Sequence, residues 1–174
     1  MRRVRYSVAM SLDGYLAGPS GEIDWIPMDP DIDFGALVGS FDTMLMGRKT
    51  YEAGRRQGGA GMPGLRPYVL SRTLRQADCP DVTVADDARA TVAALKNEPG
   101  KDIWLFGGGE LLRSLLAVDL VDRVQVAVVP VLLGEGVPLL APPALRARLR
   151  LAAHRVFSKT GLVLLDYDVL PGGE

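Results

Sequence analysis

The sequence predicts an α/β fold: a mainly parallel sheet with helices on both sides and a C-terminal antiparallel hairpin. Three observations carry this prediction. Short apolar runs at 43–46, 67–70 and 103–106 each stop at a glycine or a small polar residue. Helix-period stripes alternate with them. After Val118 the helical period gives way to long alternating segments, which is how antiparallel strands read.

Each element follows in order. Val4, Tyr6, Val8, Met10 and Leu12 alternate with Arg5, Ser7, Ala9 and Ser11, a strand with one apolar face and one face of small groups, closed by the Asp13-Gly14 turn. Residues 18 to 33 are rich in Gly, Pro and Asp yet carry Ile23, Trp25, Ile26 and Met28. A long loop with that apolar content reads as a cover for a site. Phe34, Leu37, Val38 and Phe41 recur at helical spacing, with Asp31 or Asp33 as cap. Thr43 to Met46 predicts a buried strand ending at Gly47, followed by a short helix from Lys49 or Thr50 to about Gly54. Residues 54 to 64 are too glycine-rich for regular structure. Strands follow at 67–70 and 82–84, then a helix capped by Asp86 whose Ala88, Val92 and Leu95 face inward, ended by Pro99-Gly100. Ile103 to Phe106 is an apolar strand running into Gly107-Gly108-Gly109, and Leu111, Leu112, Leu115 and Leu116 form the next helix stripe. Arg123 to Val131 alternates as a strand, residues 130 to 143 connect, and 149–157 and 162–170 form a hairpin about Ser158-Lys159-Thr160-Gly161.

Composition bounds the function. Among 174 residues, 48% are hydrophobic and 24% charged, which predicts one folded domain over 1–174 with its own core. Lys+Arg 20 against Asp+Glu 21 leaves a net charge of −1, without the basic excess that binding nucleic acid requires. The single cysteine, Cys79, forms no internal disulfide and fits a reducing compartment, and one His with one Cys leaves no metal site to expect. Behind the basic start Met1 to Arg5, Ser7, Ser11 and Asp13 interrupt the apolar stretch, so neither a signal peptide nor a membrane span is expected, and the cytoplasm is the expected location.

Chemistry concentrates at three corners: Met46-Gly47-Arg48-Lys49-Thr50, Leu70-Ser71-Arg72-Thr73 and Phe106-Gly107-Gly108-Gly109-Glu110-Leu111. In an open α/β sheet ligands bind outside the carboxyl ends of the strands. Glycine there lets backbone N–H groups reach phosphate oxygens, and a following helix N-terminus favours the anion. Arg48, Lys49 and Arg72 add three cations, and a guanidinium fork suits a phosphate monoester. Each corner alone is also explained by a tight turn or a solvated charge; three in register favour an anion site.

In order and spelling these segments resemble the dihydrofolate reductase-like superfamily, and within it the C-terminal reductase domain of the bifunctional bacterial riboflavin biosynthesis enzyme and its stand-alone relatives. The resemblance runs through Tyr6 to Gly14, Ile23-Asp24-Trp25, Met46 to Glu52, Leu70-Ser71-Arg72, Phe106 to Gly109 and the terminal hairpin. It implies a three-layer αβα fold, a homodimer and an NADPH-dependent reductase acting on a small flat heterocycle. That substrate would be pterin- or folate-like, or the 5-amino-6-(5-phosphoribosylamino)uracil of riboflavin biosynthesis. By resemblance Gly47, Arg48, Lys49 and Thr50 hold the cofactor phosphates, and Ser71 and Arg72 the adenosine end and its 2′-phosphate. Gly107, Gly108, Gly109, Glu110 and Leu111 cradle the pyrophosphate, and Ala9 with Leu16, Ala17 and Gly18 lines the nicotinamide. The G-x-G-x-x-G dinucleotide fingerprint is absent after the first strand, where this family does not place it. Two positions depart from the riboflavin-pathway pattern: Tyr51-Glu52-Ala53-Gly54 replaces an Ala-Asp-Asp-Pro segment, and Phe106 stands where a glutamate precedes the glycine corner. Both speak against a phosphoribosyl-aminopyrimidine as substrate.

Hydride chemistry belongs to a nicotinamide, and the protein orients it and supplies a proton. Folate reductases use one carboxylate on the helix after the Trp-containing loop, and here Asp29 and Asp31 beside Trp25 are the nearest matches, with helix capping as the competing reading. Asp13 reads first as a turn residue. His154 is expected at a surface and Cys79 as unreactive. The apolar strand 124–131 and the connection to Leu140 are expected to supply an oligomer surface. The competing class is a non-catalytic nucleotide-binding homo-oligomer on the same scaffold.

Overall fold

The computed structural model describes residues 1–143 and 145–172. Eight strands form one sheet in the order β5-β4-β3-β6-β1-β7-β10-β9: β1 (Val4–Ser11), β3 (Phe41–Gly47), β4 (Arg66–Leu70), β5 (Thr83–Ala85), β6 (Asp102–Gly107), β7 (Arg123–Val129), β9 (Leu149–Phe157) and β10 (Leu162–Val169). From β5 to β7 all neighbours are parallel; β10 joins β7 antiparallel and carries β9 on its outer edge. The helices are α1 (Phe34–Gly39), α2 (Arg48–Arg56), α3 (Ala88–Asn97) and α4 (Gly109–Leu116). The expected α/β sheet with its C-terminal antiparallel hairpin is thus present.

Two apolar layers sandwich the sheet. On one face Val4, Tyr6, Leu45, Ile103, Leu105, Val124 and Val126 pack against Val92 and Leu95 of α3 and Leu111, Leu112 and Leu115 of α4. Leu45, Ile103 and Leu105 are fully buried, each worth about 1.5–3 kcal/mol of transfer free energy. The other face carries Phe41, Met44, Met46, Val69 and Trp104 beneath Tyr51 of α2 and beneath Ala60, Leu65, Cys79 and Val82. Cys79 is therefore a core residue. A third, smaller cluster of Val129, Phe157 and Leu162 sits under the long loop, with Ala9, Trp25 and Ile32 against it.

Several boundaries differ from expectation, each for a physical reason. Phe41 opens β3 instead of closing the helical stripe, because its ring stacks on Trp104 at 5.1 Å. Of the two aspartates offered as the cap of α1, Asp33 accepts from the Ala36 amide; for α3 it is Asp87, not Asp86, that accepts from Ala90. Helix α2 runs past Gly54 to Arg56, and the following turn closes on it through the Gly59 amide and the Gly54 carbonyl. A two-stranded ribbon, β2 (Tyr15–Ala17) with β8 (Val137–Pro138), forms in segments that read as loop. The apolar strand expected to offer an oligomer surface lies inside the sheet between β1 and β10, with Val124, Val126 and Val129 buried.

Candidate functional site

Strand register sets the site. Gly47 at the end of β3 is level with Leu70 at the end of β4, and Met46 is level with Gly107 at the end of β6. The three corners singled out in the sequence therefore leave adjacent strands at one edge of the sheet, side by side. Both α2 and α4 begin there, and both begin without a side-chain cap, on Gly47 and Gly108. By contrast α1 and α3 are capped by aspartates. No side chain caps the first amides of α2 and α4, although the Leu111 amide already donates to Gly108 O at 3.0 Å.

Close approach accounts for two of the glycines. A Cβ on Gly107 would stand 3.3 Å from Thr50 Oγ1, and one on Gly109 would stand 3.0 Å from the backbone of Pro138, Leu139 and Ala141. The Gly107–Gly108 peptide is cis. Lys49 Nζ donates to Glu110 Oε1 at 2.9 Å, joining the first turns of the two helices, and Arg48 pairs with Glu52 at 3.1 Å. On the neighbouring corner Ser71 Oγ accepts from the amides of Thr73 and Leu74, and the Ser71 amide donates to Ala85 O. That turn holds Arg72 exposed, with no ion-pair partner among the described residues.

The edge continues onto β1. Ser11 is fully buried, its hydroxyl donating to Asp13 Oδ1 at 2.6 Å and accepting from the Tyr15 amide. Asp13 then binds the amides of Gly134 (2.7 Å) and Leu133 (3.1 Å), so it is a loop tie. The Ser11 hydroxyl, with the Gly134 and Leu133 amides, lowers its pKa to about 2. Leu16 packs against the main core, and Ala17 pairs with Val137. Ala9 is half-buried beside the Trp25 cluster. On the small-residue face of β1, the Ser7 hydroxyl donates to Gln125 Oε1 and the Ser7 carbonyl accepts from the Trp104 indole.

The candidate acids lie elsewhere. Asp29 is buried, one oxygen accepting from Thr160 Oγ1 at 2.7 Å and the other from the Asp31 amide at 2.9 Å; these bonds hold its pKa below the usual carboxylate range. Asp31 pairs with Lys159 at 2.8 Å, and that bond raises the lysine's pKa. The Trp25 indole donates to Glu22 O. Thr160 and Lys159 were read from sequence only as turn residues, since no local pattern announces partners 131 and 128 positions away. Exposed His154 lies on β9. An apolar groove of about 610 Å³, lined by Leu112, Leu116, Leu139, Leu140 and Leu149 among others, runs along the flank of α4. Among the described residues no three His, Cys, Asp or Glu side chains gather as metal ligands, and no helix is long and apolar enough to cross a membrane.

This sheet order and carboxyl-edge site define a dihydrofolate reductase-like α/β protein. Residues 2–163 match the RibD C-terminal domain, and the chain belongs to that family. It is 35% identical to the uncharacterized protein YyaP of Bacillus subtilis (strain 168), over 95% of this chain and 94% of that one. It is 32% identical to the uncharacterized protein YwjB of the same strain, over 91% and 94%. Among solved structures, a protein from Shewanella sp. PV-4 named for riboflavin biosynthesis superposes with a TM-score of 0.80 at 26% identity, over 98% of this chain and 99% of the other. A pyrimidine reductase-like protein from Corynebacterium diphtheriae shares the fold at a TM-score of 0.70 and 17% identity, over 98% and 93%.

Proposed function

We propose that this protein is an NADPH-dependent reductase that passes hydride to a small flat heterocycle. The observation that carries the reading is the alignment of three corners on adjacent strands, two of them opening helices with no side-chain cap. Backbone amides at Gly47–Thr50 and Gly108–Glu110 would take the phosphates, with Lys49 held beside them by Glu110. Arg72, exposed and without an ionic partner among the described residues, would read the 2′-phosphate that separates NADPH from NADH. Bound there, the nicotinamide supplies the hydride. The chain's own part would be to bind the phosphates, to hold the nicotinamide with Ala9, Leu16 and Ala17, and to exclude water with the Trp25 loop.

The substrate would be pterin- or folate-like, or 5-amino-6-(5-phosphoribosylamino)uracil. Membership of the RibD C-terminal domain family and likeness to the Shewanella protein support the second, while Phe106 and the 51–54 segment weigh against it. The protein would act in the cytoplasm as a homodimer. The exposed outer strand β9, which presents Leu149, Leu151 and Val156 to solvent, is the surface that a second copy would cover. Thermal shift tests the cofactor: saturating NADPH should raise the melting temperature well above the effect of NADH, because a ligand specific to the native state stabilises it. No shift with either nucleotide would contradict the reading. NADPH oxidation in the presence of each substrate then separates an enzyme from a nucleotide-binding scaffold.

A further inference from the structure

The first half of the 18–33 loop is bonded mainly within itself, around Gly18 and Glu22, whereas Asp29 and Asp31 in its second half are tied to a remote hairpin. Thr160 Oγ1 donates to Asp29 Oδ2 at 2.7 Å, Lys159 Nζ to Asp31 Oδ1 at 2.8 Å, and Arg155 to the Asp31 carbonyl at 3.4 Å. All three donors belong to the β9–β10 hairpin. Asp29 is the buried member, at 3% exposure, and its second oxygen accepts from the Asp31 amide, which fixes the carboxylate's plane. Between and beside these anchors, Trp25 and Ile32 rest on the Val129–Phe157–Leu162 cluster that also receives Ala9 from the carboxyl end of β1.

We propose that Asp29 and Thr160 are a positioning pair, a latch that holds the Trp25 loop against the end of β1, and that Asp29 is not the proton donor. The role in positioning substrate rests on the reductase reading; the latch itself does not. Both carboxylate oxygens are engaged by donors, which favours the ionised group and leaves it no proton to give at neutral pH. A threonine hydroxyl facing a buried carboxylate forms a charge-assisted bond, stronger than a neutral pair and directional enough to fix the loop. Lys159 and Asp31, both well exposed, add little beyond charge neutralisation. The latch therefore turns on one hydroxyl and one carboxylate.

Thr160→Val removes the donor at nearly constant volume, and Thr160→Ser keeps it. In Thr160→Val, amide exchange over residues 22–32 should accelerate at least tenfold and acrylamide quenching of Trp25 should rise, with Trp25→Phe identifying the Trp25 signal. Thr160→Ser should keep both near wild type, and NADPH affinity should change less than threefold in either variant. With whichever of dihydrofolate and 5-amino-6-(5-phosphoribosylamino)uracil the wild type reduces, Thr160→Val should raise KM at least tenfold. Unchanged exchange in Thr160→Val overturns the latch; faster exchange with an unchanged KM overturns the positioning role. If Thr160→Val fails to fold, Asp29→Asn is read in the same way. A wild type that neither binds NADPH nor reduces either probe defeats the reductase reading, while exchange still decides the latch.

Discussion

The two ends of the sheet are built to opposite plans. At the amino end charged groups are paired with one another. Arg2, 4% exposed, donates to Asp42, to Thr43 Oγ1 at 2.7 Å and to the carbonyls of Lys101 and Leu95. Lys96 grips both oxygens of Asp122, which also receives the Val4 amide. Arg3 and Arg5 share Asp102, and Arg123 bridges Asp166 and Asp168. At the carboxyl end two helices start on glycine without a side-chain cap, and Arg72 stands without an ionic partner among the described residues. A folded chain satisfies its polar groups where nothing else will. Helix starts without a side-chain cap, together on neighbouring strands, are what the proposed cofactor would bind.

The sharpest way to break this comparison is to disturb each end and ask which property fails. Arg2→Met should lower unfolding stability by about 3 kcal/mol, the cost of stripping one partner from a buried pair, and leave NADPH affinity unchanged; urea denaturation and titration read the two. Gly47→Val should do the reverse. A Cβ at Gly47 meets Leu111 Cβ at an ordinary 4.0 Å, so the chain should fold with a loss of about 1 kcal/mol, yet the branched side chain should cut NADPH affinity roughly a hundredfold, about 2.7 kcal/mol. Arg72→Ala should weaken NADPH by about 2 kcal/mol, roughly thirtyfold, and NADH hardly at all, since a charged hydrogen bond is lost only with the 2′-phosphate. Equal losses for both nucleotides would remove Arg72 from that role.

Two smaller effects sharpen the picture. Glu110→Gln should tighten NADPH two- to fivefold at low salt by releasing Lys49 and removing a carboxylate from the α4 N-terminus; the exposed ion pair itself should matter to stability by less than about 1 kcal/mol. Asp13 gives a pH signature. Its folded pKa, about 2, lies below the unfolded value of about 3.9, so its contribution is complete above pH 4 and fades as pH falls toward 2. Asp13→Asn should flatten the melting temperature across that window and leave the neutral range with a fixed deficit.

Local periodicity announced what local physics decides. The alternation of β1, the α4 stripe and the terminal hairpin were legible because burial on one face imposes a period. The ribbon β2–β8 was not, since Tyr15–Ala17 and Val137–Pro138 become strands only by meeting each other. Phe41 sat at helical spacing but answers to Trp104. Of the site, the glycine corners were legible in residue type, and their adjacency followed from the parallel register. The fate of Asp29 was hidden: its partner is a threonine in a turn 131 residues away, and the residues around Asp29 favour a cap as much as a latch.

The most direct test of the carboxyl-edge site is an amide chemical-shift map on adding NADPH. The account predicts that the largest shifts fall on Gly47–Thr50, Ser71–Arg72 and Gly108–Leu111 together, with those at Ser71–Arg72 much reduced when NADH replaces NADPH. Shifts gathered along the Leu112–Leu149 groove, or confined to one of the three corners, would contradict it.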